Sequence, residues 1–180
     1  GLSGTGLVLR NNGGNNLAIS TNGVFTFSTS IASGSPYAVT VLTQPANLSQ
    51  TCTVSNGSGT VSGANVTNVS ISCITNTFTI GGTVSGHNGT GLTLRVNGTT
   101  NLAIAANGPF AFGPIADGLG YSVVVFVQPI GQSCTVANGS GTLAGAHVTN
   151  VAVICGNTYT LGGSVSGLTG TGLVLRNNGG

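Results

Sequence analysis

The sequence has almost no charge: Arg10, Arg95, Arg176 and Asp117 are its only charged residues, and Lys, Glu, Met and Trp are missing altogether. A single carboxylate cannot form the acid–base pair that glycosidase chemistry needs. The net charge of +2 gives no basic footprint, so no nucleic acid is expected as a partner. Calcium sites draw on several carboxylates, and Asp117 is alone. No run approaches the ~18 apolar residues of a membrane helix, the longest lying around Val123–Val127, so no membrane insertion is expected. Ser and Thr abound, but no G-x-S-x-G elbow or Ser-His-Asp set can be assembled. We therefore expect no enzyme, no catalytic residues, no cofactor and no metal.

What is present is β-forming. The chain of 180 residues is 39% hydrophobic, contains 32 Gly, and is rich in Val, Ile and Thr. Its mean hydropathy of +0.41 separates it from disordered chains, which are charged and poor in β-branched residues. It also lacks an initiator Met and a signal-peptide core, from which we expect a window of a longer exported protein.

Internal repetition organises the chain. Gly1–Gly14 (GLSGTGLVLRNNGG) returns as Gly167–Gly180 with Ser3 replaced by Thr169, and a third copy starts at Gly86. The starts lie 85 and then 81 residues apart, too long for solenoid rungs and suited to small domains that each close a core. We expect a first unit at 1–76 without its opening strand, a complete second unit at 77–157, and the opening strands of a third at 158–180. The opening strand is expected in Phe78–Ser85 and again in Tyr159–Ser166. Two explanations stand for the unpaired ends: an arbitrary cut, or head-to-tail completion in which residues near 158–180 add a strand to the next copy.

Within a unit, Leu7 and Leu9 alternate with Val8 and Arg10, as Leu92 and Leu94 do with Thr93 and Arg95, so the leucines should face a core. Phe25 and Phe27 match Phe110 and Phe112; Tyr37, Val39 and Val41 match Tyr121, Val123 and Val125; Val69, Ile71 and Cys73 match Val151, Val153 and Cys155. All are expected to point inward. Asn-Gly pairs at Asn12, Asn22, Asn56, Asn97, Asn107 and Asn138 predict turns. The N-x-S/T sequons at Asn47, Asn56, Asn65, Asn68, Asn88, Asn97 and Asn138 also read mainly as turns. Six to eight short strands per unit predict a β-sandwich.

The order G-G-x-V-S-G, G-L-x-L, N-G-x-F-x-F and Tyr-x-V-x-V-x-x-Q-P resembles the prealbumin-like sandwiches of surface-protein B-type and carboxypeptidase-regulatory-like repeats. The Cys-T-V-x-N-G-S-G-T segment, ending in N-V-x-x-x-Cys, is similar to tandem Ig-like repeats of large exported bacterial proteins. The resemblance implies an all-β tandem array of Ig-like or prealbumin-like sandwiches, a stalk, adhesin or fibre role, and no catalytic residue. Gram-positive relatives of the B type often carry a Lys-to-Asn isopeptide bond beside a Glu; with neither Lys nor Glu, that crosslink is impossible here.

Cys52 and Cys73, and Cys134 and Cys155, occupy the same places in each unit at a spacing of 21 (52 to 73, 134 to 155), so one disulfide per unit is expected. Such bonds imply an oxidising location, outside the cell or at its surface. A zinc site is disfavoured, because the spacing is wrong and no His partner is near. His87 stands where the other copies have Leu2 and Leu168, and His147 where the first has Asn65; both are expected on exposed loops or edges. Asp117 is placed opposite Ala32. The arginine kept in each copy (Arg10, Arg95, Arg176) is expected to guard an edge strand or to contact a neighbouring unit's carbonyls, with a glycan or anion site a weaker third option. Thr40, Leu42, Ser70 and Ser72 become Val124, Phe126, Ala152 and Ile154, and we expect these four to form an outward apolar assembly patch, against the alternative of a face covered by its own loop. The expected function is a structural filament or adhesin stalk whose partners are copies of itself. A glycan-binding module using loops such as 11–16 and 97–101, or a passive module on a secreted enzyme, are the alternatives.

Overall fold

Period-2 alternation and Asn-Gly punctuation leave no segment able to form an amphipathic helix, and the computed structural model, which describes residues 1–178, is all-β. Gly179 and Gly180 of the third sequence copy lie outside the described residues. The first copy supplies β1 (Leu7–Asn11), β2 (Asn15–Ile19), β3 (Pro36–Thr43), β4 (Gln50–Ser55), β5 (Ser58–Thr60) and β6 (Ser70–Thr75). The second supplies β7 (Thr77–Ser85), β8 (Thr93–Val96), β9 (Thr100–Ala103), β10 (Gly108–Ala116), β11 (Gly120–Val127), β12 (Gln132–Ala137), β13 (Ser140–Thr142) and β14 (Val148–Asn157).

In the second copy two four-stranded sheets, ordered β10-β7-β14-β12 and β13-β11-β8-β9, share one core. Ile80, Leu92, Leu94, Val151 and Val153 are among its most completely buried side chains. The strand β7 is central: it runs antiparallel to β10 and parallel to β14. Two glycines let it lie there. A Cβ on Gly82 would collide with the Val151 carbonyl of β14, and one on Gly81 with the Phe110 carbonyl of β10, so the strand fits only with bare backbone at both positions.

The first copy repeats part of this plan. Its sheet β2-β1-β3-β5 matches β9-β8-β11-β13, with β3 and β11 sharing one burial pattern and β4 and β12 another. Its other sheet is only the pair β4-β6. The hairpin turns at Asn12-Gly13 and Asn97-Gly98 have positive φ at both residues (48° and 72°; 50° and 70°), which is what the twist of a tight hairpin requires. Asn47, Asn56 and Asn138 also have positive φ, in line with their reading as turns.

Cys52 bonds Cys73, and Cys134 bonds Cys155. Each pair sits directly opposite in an antiparallel ladder, β4 with β6 and β12 with β14. The bonds therefore staple neighbouring strands of one sheet, unlike the sheet-to-sheet pin of an antibody domain.

Candidate assembly site

Where the two copies meet, the connection is one residue long: β6 ends at Thr75, β7 begins at Thr77, and Asn76 lies between. Asn76 is tied to the first copy through its N–H, which donates to Ser49 O at 2.9 Å, and its side-chain amide, which donates to Ser49 Oγ at 2.7 Å. Asp117, the only acid of the chain, closes the joint from the other side. Its Oδ2 accepts from the Ser49 N–H and its Oδ1 from the Gly145 N–H, both at 2.7 Å, while its own N–H donates to Asn76 O. The side chain is buried, with 3% of its surface exposed. The hydrogen bonds from Gly145, Ser49 and Gly118 hold its carboxyl below the usual carboxylate range, outweighing the opposing effect of burial.

Asp117 corresponds to Ser33, correcting the expected match to Ala32. Gly34 donates to Val61 O as Gly118 does to Leu143 O, and Ser33 Oγ accepts from Gly63 as Asp117 Oδ1 accepts from Gly145. The carboxylate thus keeps the loop bond of its serine counterpart and adds a second oxygen that reaches the neighbouring copy.

The second feature is a slot. Among the described residues, no strand equivalent to β7 lies between β6 and residues 23–31, the counterpart of β10. Without a partner, residues 24–27 are not a strand; Phe25 and Phe27, packed edge-to-face at 6.0 Å, are only half-buried, whereas Phe110 and Phe112 are buried. Val69 and Ile71 are likewise half-buried where Val151 and Val153 are covered. These side chains line a cavity of about 750 Å³ that also reaches Leu7 and Val39. The expected opening strand of the third copy, Tyr159–Ser166, is exposed and unpaired, with Tyr159 at 88% and Leu161 at 85% exposure.

Two of the three arginines lie away from the sheet edges. Arg10 is on β1 and Arg95 on β8, both inner strands of their sheets. Each Nε donates to an asparagine on the adjoining hairpin strand, Asn16 at 3.2 Å and Asn101 at 2.7 Å. Arg176 lies exposed outside any strand. The four substituted positions do not form one patch: Val124 and Phe126 are on β11, Ala152 and Ile154 on β14, and these strands belong to opposing sheets. Inward neighbours Val123 and Val153 share the core, so the two outward pairs face away from each other. The Arg95 guanidinium lies 3.1 Å from the Phe126 ring centroid and covers part of that face.

His147 is exposed as expected; its Nδ1 accepts from the Thr79 N–H at 3.0 Å, and its ring meets Phe78 edge-on. His87 corrects the expectation of an exposed loop: it is 5% exposed, and neither ring nitrogen has a hydrogen-bond partner. No sequence motif marks the glutamine amides that shape each unit, of which Gln50 and Gln132 are buried. Gln50 Oε1 accepts from Ser3 and Gly4 N–H, as Gln132 Oε1 does from Asn88 and Gly89. Gln44 and Gln128 each exchange two bonds with the backbone of the cysteine that follows. Their signal was available, because each glutamine recurs at the same place in both copies. No protein-family model matches the chain, and no curated protein is significantly similar to it.

Proposed function

We propose that the chain is a structural repeat of an extracellular bacterial filament or adhesin stalk: a tandem array of Ig-like or prealbumin-like sandwiches that associates with copies of itself and performs no catalysis. The observation that carries this reading is the joint at Asn76. A one-residue connection, hydrogen-bonded on both sides and clamped by the one carboxylate of the chain, suits units that must pass tension along a line. The disulfide in each copy supports placement outside the cell, since thiols are kept reduced in most cytosols. Near-absence of charge suits an assembly held by shape and hydrogen bonds, insensitive to salt over a wide range.

Single-molecule stretching of the oxidised chain tests the mechanical role. Two unfolding events, each shortened by the residues enclosed in its disulfide and lengthened on reduction, are expected. Extension at negligible force would remove the stalk reading.

A further inference from the structure

We propose that the outer face of the sheet β13-β11-β8-β9 in the second copy is a binding surface for an acidic polysaccharide, a glycan whose carboxylates are spaced among neutral sugars. The inference goes beyond the stalk reading and holds whether or not the array bears tension. Three observations carry it.

Strand register fixes a row of groups on this face. Arg95 of β8 is paired with Val124 of β11 on one side and with Asn101 of β9 on the other. Leu94, Val96 and Val123, the chain neighbours of this row, are buried in the core, so alternation puts Val124, Arg95 and Asn101 outside. Phe126 follows Val124 on the same strand, and each is 46% exposed.

The row presents hydrogen-bond donors beside an apolar surface. Arg95 Nε donates to Asn101 Oδ1 at 2.7 Å, and the guanidinium lies 3.1 Å from the Phe126 ring centroid. These two contacts hold the guanidinium in place and use only one of its five N–H groups. Its terminal nitrogens and Asn101 Nδ2 donate to nothing among the described residues. A guanidinium with its terminal edge free takes a carboxylate through two parallel hydrogen bonds. Val124 and Phe126 next to it suit the C–H face of a sugar ring, as in sites where a few polar groups orient a ligand on apolar side chains.

The balance of charge selects the ligand. Asp117, the one acid of the chain, is buried in the joint with both oxygens bonded to backbone N–H groups, so no acidic side chain competes for Arg95. The exposed charge is cationic and sparse, one arginine in each sequence copy. Nucleic acid carries a charge every ~1.7 Å and rewards many cations at once. A lone arginine set among amide and apolar groups suits a polymer whose carboxylates are separated by neutral, hydroxyl-bearing rings. The first copy is an internal comparison: it keeps Arg10 bonded to Asn16 but has Thr40 and Leu42 in place of Val124 and Phe126. It retains the anion contact without the ring and is the weaker site.

The test titrates the oxidised full chain with oligogalacturonate and follows backbone and arginine Nε–H resonances by NMR. Saturable shifts are expected at Arg95 Nε–H, Asn101 and Phe126, with smaller ones at Arg10. The methyl-esterified oligomer, which has the same rings without charge, is expected to bind about tenfold more weakly or worse, and so is the acidic oligomer to Arg95→Gln, because each change removes a charge-assisted pair. Arg95→Gln alters an outward side chain, and an unchanged circular dichroism spectrum verifies its fold. Val124→Thr with Phe126→Leu, which copies the first unit, is expected to lower the second copy's affinity to that of the first. Binding that survives Arg95→Gln, equal binding of the esterified oligomer, or no binding by the unmodified chain overturns the site. Tighter Arg95-dependent binding of duplex DNA would assign the face to nucleic acid and overturn the glycan. None of these outcomes touches the stretching experiment, so the stalk reading stands or falls separately.

Discussion

Ser49 of the first copy donates its backbone N–H to Asp117 of the second at 2.7 Å, making the only acid of the chain a bond between copies. Ser33, its counterpart in the first copy, keeps the bond to its own loop with a single oxygen. Asp117→Ser is therefore expected to preserve the 145 turn and release Ser49. Amide exchange should rise at Ser49 and stay unchanged at Gly145, and small-angle scattering should show a wider spread of angles between the copies. Unaltered protection at Ser49 would mean that the carboxylate does not hold the joint.

The same carboxylate fixes a pH dependence. Its pKa in the folded chain is lowered from the ordinary value of 3.8, so the unfolded or unclamped form binds the proton more tightly. The contribution is fully present above that ordinary value and is lost as pH falls through the lowered one. Joint stiffness should be constant from neutral pH down to about 4 and decline only in stronger acid. Loss of stiffness between pH 5 and 7 would point to another group, and Asp117→Ser should remove the acid transition.

His87 is buried with two unpartnered ring nitrogens where the other copies carry Leu2 and Leu168. Replacing it by leucine removes polar atoms that lack hydrogen bonds, so His87→Leu should stabilise the second copy by about 1–2 kcal/mol. Urea unfolding of the variant and its parent measures this. A loss of stability would show that the ring shape, rather than its polarity, suits the site.

The strands, their inward faces and the cysteine pairing were legible because alternation and repetition are local properties of a sequence. Strand order is not local, which is why Phe126 and Ile154 looked like neighbours: both point outward, but β11 and β14 lie in opposing sheets. Asp117 was unreadable for a related reason. Its second oxygen reaches Ser49 only because the Asn76 connection folds the copies together, a distance of 68 positions along the chain. His87 could have been read, since an apolar residue at that position in both other copies marks an inward side chain.

The cation over Phe126 gives a measurable coupling. Arg95 and Phe126 touch, while the first copy has Leu42 at the position corresponding to Phe126 and so offers Arg10 no ring there. A double-mutant cycle of Arg95→Ala with Phe126→Leu should return about 0.5–1 kcal/mol, the range for a partly exposed cation–π pair. Arg10→Ala with Leu42→Ala should return close to none of that coupling.

The two disulfides should differ in consequence although each closes a loop of the same length. Removing either one is expected to cost about 3 kcal/mol on chain-entropy grounds. The second copy has thirteen buried apolar residues in a core closed by eight strands, whereas the first has five beside an open slot. Equal losses from unequal reserves mean that mild reduction should unfold the first copy and spare the second. Proteolysis under reducing conditions should therefore cut first within residues 1–76 and leave a protected fragment near 77–157. Simultaneous digestion of both copies would contradict this order and the unequal cores on which it depends.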